Sequence, residues 1–456
     1  MIIRKIKINS FRGLEDLEIT FPQPTYNYFG KMRISILVGD NGTGKSTIFQ
    51  LLTSLFSPFQ FRDNMEKPIC MVEYGINDDD IVYESEGTYP INYPSKMIVS
   101  SFSAFDPYDQ WSSHLTARRM QEREKVEHMT KYVHLGPSTR GYSSFDSVIE
   151  AIIKSLFITS EENKKFECYY ELLHIINFRR ATGLIINYDR LRELHNIIEK
   201  REFEIHNVDR VKSLYEEFNV KLMELRRHNR DRFSHMRNRN RRGFAISIDD
   251  FSFELFELYR KILELNIIGP FIKDVIFESE SGHEVLLSEM SSGEITMLYR
   301  FLPLVMEIED NAVILIDEPE THLHPRWIRE FISYLTLLFN DYRVHVLIAT
   351  HSPTIASDVP MECIVGLRKQ VGRIHQYKPR DRTLGGHSSE LLRDVFELEQ
   401  LSSVSALKNI DKIIKLLERS RPNAQQIKEA RQLFSDLSTT TEKYRLYQKY
   451  KKFLGE

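Results

Sequence analysis

The chain has 456 residues, of which 41% are hydrophobic and 28% are charged, and its formal net charge is −3. This composition is typical of a globular protein with roughly two or three domains, and no run approaches the about 18 uncharged apolar residues of a membrane-spanning helix. The net charge gives no overall attraction to nucleic acid, so any such binding must be local. The three scattered cysteines (Cys70, Cys168 and Cys363) predict neither a disulfide framework nor a CxxC metal pair, and they favour a cytoplasmic location.

Strand patterns dominate the first part of the chain. IRKIKINSF and LEDLEITF alternate apolar and polar residues, as half-exposed strands do, and Gly13 lies at the turn between them. MRISILV (32–38) is a continuous apolar run, which predicts a buried parallel strand that feeds a helix. KMIVSSFSAFD (96–106) predicts another strand that ends in a polar loop.

Helical spacing replaces these patterns from about residue 143, in long, charged, glycine-poor segments. Strand patterns return in IKDVIFESESGHEVLL, AVILID and HVLIAT, and helical spacing returns after about residue 383. This order predicts an α/β head that is interrupted by a helical, coiled-coil-like insertion and followed by a helical tail. The predicted boundaries are 1–142 for the first lobe of the head, 143–265 for the insertion, 266–383 for the second lobe and 384–456 for the tail.

GDNGTGKST (39–47) matches the phosphate-loop pattern GxxxxGK[ST] and lies between a predicted strand and a predicted helix. Its glycines allow backbone N–H groups to converge on phosphate, and the helix dipole favours the same charge. Lys45 is placed to reach the β- and γ-phosphates, and the Ser46 hydroxyl is placed to bind Mg²⁺. The residues predicted to bind the nucleotide here are Gly39, Asn41, Gly42, Gly44, Lys45, Ser46 and Thr47.

Two acidic residues follow the apolar run AVILI, and a histidine follows VLIAT. A buried parallel strand presents the residues just past its carboxyl end to the ligand side of the sheet. We therefore expect Asp317 to hold Mg²⁺, and Glu318 to orient or deprotonate the attacking water. His351 is expected to polarise the γ-phosphate or hold that water. A plain strand-end cap is the alternative for the acids, and a structural role is the alternative for the histidine.

SEMSSGEITML (288–298) contains a second helix start, far from the phosphate loop. Ser291, Ser292 and Gly293 precede the helical run EITMLYRFLPLVMEI, and a helix start offers free N–H groups and a positive dipole end to an anion. A second anion site would mean that the nucleotide is shared between two parts of the assembly. The alternative is an ordinary N-cap by one of the serines, with Glu294 in the first helical turn.

Together these motifs resemble the ABC-type ATPases. MSSGE (290–294) is similar to their signature LSGGQ, although Met290, Ser292 and Glu294 replace the leucine, the first glycine and the glutamine. INSFRGLEDLEI resembles the opening of the chromosome-maintenance and defence branches. The resemblance implies a head-to-tail pair in which Ser291 and Gly293 of one protomer contact the γ-phosphate held by the other, with ETHLH (320–324) at the position of the D-loop.

LIDEPETHLHPRW, ATHSP and GHSSELLRDVFELE resemble more narrowly the bacterial antiphage ATPases, which include Septu PtuA, PARIS AriA and the ATPase half of OLD-family proteins. The resemblance implies an ATP- and Mg²⁺-dependent homodimer or higher homo-oligomer that senses infection and controls a separate effector. The region after Arg382 lacks the carboxylate-bearing strands of the OLD nuclease domain, so a separate nuclease is the expected effector. Gln110 is the nearest candidate for the family's glutamine-loop residue.

RRHNRDRFSHMRNRNRR (Arg226–Arg242) contains eight arginines and one acid. It could bind nucleic-acid phosphate, an acidic protein such as a phage DNA mimic, or a partner subunit, or it could be a solvated helix end. The alternative function is a DNA-repair or chromosome-maintenance ATPase that acts directly on DNA through Arg237, Arg239, Arg241 and Arg242. Arg230 and His235 have the RxxxxH spacing of HEPN ribonucleases, but a helix would place them about 140° apart around its axis, which disfavours an intrinsic ribonuclease.

Overall fold

A computed structural model describes residues 1–57, 67–77, 79–87, 92–101, 108, 130–136, 144–155, 157, 163–200, 208–230, 232–233, 243–264, 270–396, 404–418, 422–438 and 441–455. The strands are β1 Ile2–Phe11, β2 Leu14–Thr20, β3 Arg33–Val38, β4 Ile69–Ile76, β5 Asp79–Glu84, β6 Lys96–Ser101, β7 Lys131–Leu135, β8 Phe178–Asn187, β9 Gly243–Ser247, β10 Ile272–Ser279, β11 Glu284–Leu286, β12 Val313–Asp317, β13 His345–Ala349, β14 Ile364–Gln370 and β15 Arg373–Tyr377.

The helices of the described residues are α1 Lys45–Phe56, α2 Ser144–Ser155, α3 Asn163–Ile175, α4 Tyr188–Lys200, α5 Val208–His228, α6 Phe253–Glu264, α7 Ser292–Glu307, α8 Pro325–Arg329, α9 Phe331–Phe339, α10 Pro353–Ala356, α11 Ser388–Asp394, α12 Val404–Leu417, α13 Ala424–Asp436 and α14 Thr441–Leu454. None of them is both long enough and apolar enough to cross a membrane.

A seven-stranded sheet with the order β15-β14-β3-β13-β12-β6-β7 forms the centre of the head. All neighbours pair in parallel except β14 and β15. Strands β12 and β13 are buried along their whole length, as strands covered on both faces must be. The register pairs Asp317 with both Ala349 and Ser101, so β12, β13 and β6 end at one edge of the sheet.

A four-stranded antiparallel sheet, β2-β1-β4-β5, shares one hydrophobic core with α1 and the central sheet. The alternation of apolar and polar residues in β1 places Ile3, Ile6 and Ile8 in that core. Most residues of helix α1 are buried, and its apolar residues lie in the same core, where Phe49 and Leu52 are fully covered. The phosphate-loop helix is therefore fixed by packing along its length.

A third sheet, β11-β10-β8-β9, is antiparallel and includes two strands from the segment 143–265. That segment also contains α2 to α6, so the predicted helical insertion is present, but the sequence analysis missed β8 and β9. Their ladder partners are remote in the chain: Gly183 of β8 lies opposite Ile276 of β10 and Ser247 of β9. Such long-range pairing overrides the helical character of the flanking sequence.

The chain divides into two compact units, Met1–Ser388 and Ser389–Glu456. In the second unit, α12, α13 and α14 enclose a small core that includes Ile413, Leu417 and Leu446. The predicted fold class, an α/β ATPase head with a helical insertion and a helical carboxyl-terminal region, is confirmed. The four boundaries predicted from the sequence stay a prediction.

Candidate functional site

The phosphate loop connects the buried end of β3 to the start of α1. Gly39, Gly42 and Gly44 have φ angles of 152°, 79° and 82°, a region that residues with a Cβ rarely adopt. A Cβ on Gly39 would lie 2.2 Å from the carbonyl oxygen of Leu367 in β14. The glycines thus allow the tight course of the loop that its pattern predicts.

Lys45 is the first residue of α1, and its side chain folds back over the loop. The ammonium group donates hydrogen bonds to the carbonyl oxygens of Gly39, at 2.8 Å, and Asp40, at 3.1 Å. Burial lowers the pKa of Lys45, and the negative charges of Asp317 and Glu318 act in the opposite direction. The predicted phosphate-binding cation and the two predicted catalytic-site acids therefore lie within electrostatic range of each other.

Asp317 ends β12 and is almost completely buried. Its carboxylate accepts hydrogen bonds from the Ser46 side chain and, at 3.0 Å, from the Tyr108 hydroxyl. Burial is the main cause that raises the pKa of Asp317 to about 6, while these two hydrogen bonds oppose the increase. The Tyr108 hydroxyl also lies 3.2 Å from the carbonyl oxygen of Ser46.

These oxygens fit a divalent cation. Mg²⁺ prefers hard oxygen ligands, and the Ser46 hydroxyl and the Asp317 carboxylate are adjacent. Among the described residues, Asp317 Oδ1 is buried and accepts no hydrogen bond, an arrangement that is costly without a partner. These residues therefore fit the group, and their role as the Mg²⁺ ligands stays a prediction.

Glu318 has a φ angle of 48°, although it is not glycine. Its backbone N–H donates to the carbonyl oxygen of Ala349 at 2.9 Å, which fixes the chain as it leaves the sheet. Left-handed backbone at a non-glycine residue costs about 1–3 kcal/mol, and such residues cluster at functional sites. The Glu318 side chain is only partly buried.

His351 follows β13, where the sequence placed it. Its backbone N–H donates to Glu320 Oε1 at 2.6 Å, and the hydroxyl of the preceding Thr350 donates to Glu320 Oε2 at 2.7 Å. Burial, and then the charge of Lys45, lower the pKa of His351, while Glu320 and Glu318 raise it. The net decrease favours a neutral imidazole at pH 7, which can accept or donate a hydrogen bond.

Ser291 and Gly293 lie at the amino-terminal end of α7. Ser291 is the exposed N-cap: its hydroxyl oxygen accepts from the Glu294 N–H at 3.4 Å, and Glu294 Oε2 accepts from the Ser291 N–H at 2.7 Å. Ser291 therefore caps α7 within its own chain, as the alternative interpretation expected, and the Ser291 side chain lies at the surface. The predicted contacts of Ser291 and Gly293 with the nucleotide of a second copy stay a prediction.

The structure also supplies polar residues that the sequence analysis did not assign. Tyr108 follows β6 in the chain, and Glu320 and Thr350 connect the loops after β12 and β13. Arg300 of α7 is buried and donates hydrogen bonds to the carbonyl oxygens of Pro319 and Thr321. In the sequence, Glu320 was singled out only as the first residue of ETHLH (320–324), and Tyr108 only by its place after the strand KMIVSS.

The arginine-rich segment is only partly described. Gln110, His235, Arg237, Arg239, Arg241 and Arg242 lie outside the described residues. Arg226 stacks over the rings of Phe244 and Tyr188, with its Cζ atom 4.9 Å and 5.5 Å from their centroids. Arg232 donates to Ser247 Oγ at 2.7 Å. These two side chains thus have partners within the chain, and the binding role of the segment stays a prediction.

Residues 1–356 match the family AAA_15, described as an AAA ATPase domain. The chain belongs to this family. Its membership confirms the prediction of a P-loop ATP hydrolase head, since the match covers the phosphate loop, the acids after β12 and the histidine after β13.

Three relatives each match most of the chain. The chain is 25% identical over 398 residues to protein ea59 of Escherichia phage lambda, which covers 86% of the chain and 59% of ea59. It is 21% identical to the Retron Vc95 probable ATPase of Vibrio cholerae serotype O1 biovar El Tor, covering 89% of the chain and 84% of the relative. It is 23% identical to the Retron Ec83 probable ATPase of Escherichia coli, covering 87% and 76%. The chain thus spans less than two thirds of ea59.

Among solved structures, the chain is similar to an SMC head domain from Thermotoga maritima, with 13% identity, 84% of this chain and 100% of that chain covered, and a TM-score of 0.36. A second SMC head, bound to the C-winged helix domain of ScpA, has 11% identity, coverage of 83% and 97%, and the same TM-score. Similarity at this level carries no argument about function.

Proposed function

We propose that two copies of this chain bind Mg²⁺·ATP between them, head to tail, and hydrolyse it there. The observation that carries the proposal is the convergence of Lys45, Asp317, Glu318 and His351 at one edge of the central sheet. In a separate place, Ser291 and Gly293 begin a helix at the surface. A nucleotide held by the phosphate loop of one copy and contacted by Ser291 of the other would use both features.

Each residue has a distinct role in this proposal. The loop N–H groups and Lys45 bind the phosphates, and Ser46 and Asp317 hold Mg²⁺, which stabilises the charge on the transferred phosphoryl group. Glu318 orients the attacking water and takes up its proton. His351, as a neutral imidazole, donates a hydrogen bond to the γ-phosphate, and the Ser291 hydroxyl and helix dipole of the second copy contact the same group.

We further propose that this ATPase is the sensor or regulatory subunit of a cytoplasmic antiphage defence system. The resemblance of LIDEPETHLHPRW and ATHSP to the Septu PtuA and PARIS AriA ATPases supports this role. Two relatives named as retron probable ATPases are consistent with it. The nucleotide state would act through the insertion (143–265) and the tail (384–456) on a separate effector, which we propose is a nuclease.

Mixing two inactive variants tests the shared site. Lys45→Ala removes nucleotide binding from one copy, and Ser291→Arg blocks the surface that would contact the other copy's nucleotide. Each variant alone should not hydrolyse ATP. An equal mixture should recover about a quarter of the wild-type rate, because about half of the pairs are mixed and each mixed pair has one intact site.

Two controls make this result decisive. Ser291→Arg alone must still bind ATP, since its phosphate loop is unchanged, and a chain that carries both substitutions must give no activity when it is mixed with either single variant. A mixture that stays inactive while both proteins remain folded would contradict the shared site. Hydrolysis by Ser291→Arg alone at the wild-type rate would contradict it as well.

The regulatory role has its own test, in cells that carry this gene with its neighbouring genes. Wild-type cells should form fewer phage plaques than cells with Lys45→Ala, and deletion of a neighbouring nuclease gene should remove protection while ATP hydrolysis by the purified chain is unchanged. Equal plaque numbers for wild-type and Lys45→Ala cells over a broad phage panel would contradict the defence role.

A further inference from the structure

Arg300 is a buried cation in the middle of α7, the helix that Ser291 caps. Its side chain is not part of the phosphate site. One terminal nitrogen donates to the carbonyl oxygen of Pro319, and the other donates to that of Thr321. Burial lowers the pKa of Arg300 to about 10, so the guanidinium is still charged at neutral pH.

The two acceptors flank Glu320, and this carboxylate continues the connection. The nearby negative charge of Glu320 raises the pKa of Arg300, against the effect of burial. Glu320 also accepts the hydrogen bonds from the Thr350 hydroxyl and the His351 N–H. A continuous set of polar contacts therefore runs from α7 through residues 319–321 to the end of β13.

The segment that Arg300 holds has an unusual backbone. Glu318 and His322, on either side of the two acceptors, have φ angles of 48° and 62°. Left-handed backbone at such residues persists only where the surroundings fix it. The planar guanidinium can bind two carbonyl oxygens at once, which a lysine ammonium does with less geometric constraint. Arg300 thus fixes the loop that begins with Glu318.

Apolar contacts strengthen the same connection. A Cβ on Gly293 would lie 3.2 Å from Trp327 Nε1, so the start of α7 and the helix α8 are in close contact. Phe301, next to Arg300, packs against Phe331 and Tyr334 of α9 with ring-centroid distances of 5.6 Å and 6.4 Å. These contacts hold α7 against α8 and α9, the two helices that follow the loop after β12.

We infer that Arg300 is a positioning residue that holds Ser291, on its own helix, and Glu318 and His351, at the sheet edge, in one fixed arrangement. This inference rests on the proposed shared site. Arg300 then positions Ser291, which contacts the nucleotide of the partner copy. It also positions Glu318 and His351, which act on the nucleotide of their own copy. Burial removes the Arg300 guanidinium from water at a cost in free energy, and its two hydrogen bonds compensate for this cost only while both carbonyl groups stay in place. The buried charge is therefore suited to holding the loop in one arrangement.

The inference predicts that turnover and nucleotide affinity separate in Arg300→Met. The hydrogen bonds of Arg300 go to the carbonyl oxygens of Pro319 and Thr321 and not to the phosphate loop, so the dissociation constant of a fluorescent, non-hydrolysable ATP analogue should stay within about threefold of wild type. The kcat should fall by about 10- to 100-fold, in the range of typical coupling between sites. Arg300→Lys, which keeps the charge and can bind one carbonyl oxygen well, should recover part of the loss.

Arg343→Met is the matched control. Arg343 forms a surface ion pair with Asp310 at 3.5 Å, before the amino-terminal end of β13, and such pairs contribute little to stability. Its kcat and affinity should both stay within about twofold of wild type. Thermal unfolding of every variant is measured alongside. Parallel losses of affinity and kcat in Arg300→Met, or an unchanged kcat, would overturn the inference.

The mixed pairs then locate the effect. Arg300→Met is added either to the Lys45→Ala copy, which supplies Ser291, or to the Ser291→Arg copy, which supplies Glu318 and His351. Both placements should lower the turnover of the mixture, and a loss in only one would refute the shared positioning. If the reference mixture itself is silent, the proposed shared site fails, and the separation of kcat from affinity in unmixed Arg300→Met still decides the role of Arg300.

Discussion

Replacing Tyr108 with Phe tests whether one hydroxyl group organises the candidate Mg²⁺ ligands. The Tyr108 side chain is fully buried, and its hydroxyl contacts Asp317 Oδ2 at 3.0 Å and the carbonyl oxygen of Ser46 at 3.2 Å. Phenylalanine keeps the ring and its packing but removes the hydroxyl. The substitution therefore perturbs the orientation of the Asp317 carboxylate without adding bulk.

The expected magnitude follows from the charge of the acceptor. A hydrogen bond to a buried charged group contributes roughly 1.5–3 kcal/mol, and removal of a group that orients a metal ligand typically weakens metal binding about 10- to 100-fold. Asp317 keeps its hydrogen bond with Ser46, so metal binding should weaken and not disappear. The Mg²⁺ concentration for half-maximal hydrolysis should rise by about 10- to 100-fold.

The assay is a Mg²⁺ titration of ATP hydrolysis at saturating ATP. Tyr74→Phe is the matched control, because the Tyr74 hydroxyl is bound to the carbonyl oxygen of Asn92, in the antiparallel sheet region. It should lower stability slightly and leave the Mg²⁺ dependence unchanged. If Tyr108→Phe lowers the maximal rate while the half-saturating Mg²⁺ concentration stays at the wild-type value, the assigned role of Tyr108 is wrong.

Three further outcomes follow from the same geometry. Glu318→Gln should reduce kcat by about 100-fold or more while Mg²⁺·ATP still binds and closed pairs accumulate in size-exclusion chromatography; normal turnover would exclude Glu318 as the base. Gly39→Ala should abolish ATP binding, since its Cβ would lie 2.2 Å from a carbonyl oxygen, whereas Gly282→Ala, with φ of 82° and open space, should not. Burial lowers the pKa of His345 to about 3, so unfolding takes up a proton below pH 6.5, and the free energy of unfolding should fall by about 1 kcal/mol between pH 6.5 and 5.5. That part of the pH slope should vanish in His345→Gln, as followed by denaturant unfolding.

The ATP motifs were predictable because each is a local pattern with a local physical cause. The glycines of GDNGTGKST allow the positive φ angles of the loop, and the apolar runs before Asp317 and His351 are buried parallel strands. Parallel strands in one sheet end at a common edge, so the pattern also predicted that these residues come together. Helix α7 and its serine cap were predictable for the same reason.

Contacts between residues that are remote in the chain were not predictable. Tyr108 reaches Asp317 across 209 positions, and β8 pairs with β10 although the sequence around β8 is helical. The contacts of Arg300 had no signal in the sequence, because its acceptors are backbone carbonyl oxygens, which carry no residue-type pattern. Such contacts depend on which surfaces meet after folding, and one sequence does not encode them as a pattern.

Local sequence patterns establish the class of this protein, because they predict a phosphate loop, two acids and a histidine at the ends of buried strands, and a capped helix far along the chain. How these parts are joined depends on contacts that form only when the chain folds. The packing of α7 against the loop after β12 buries Arg300, and a buried guanidinium must find acceptors. In solvent, water would satisfy the hydrogen-bonding groups of this side chain, but a buried group must find partners within the protein. This requirement connects the helix of Ser291 to Glu318 and, through Glu320, to His351.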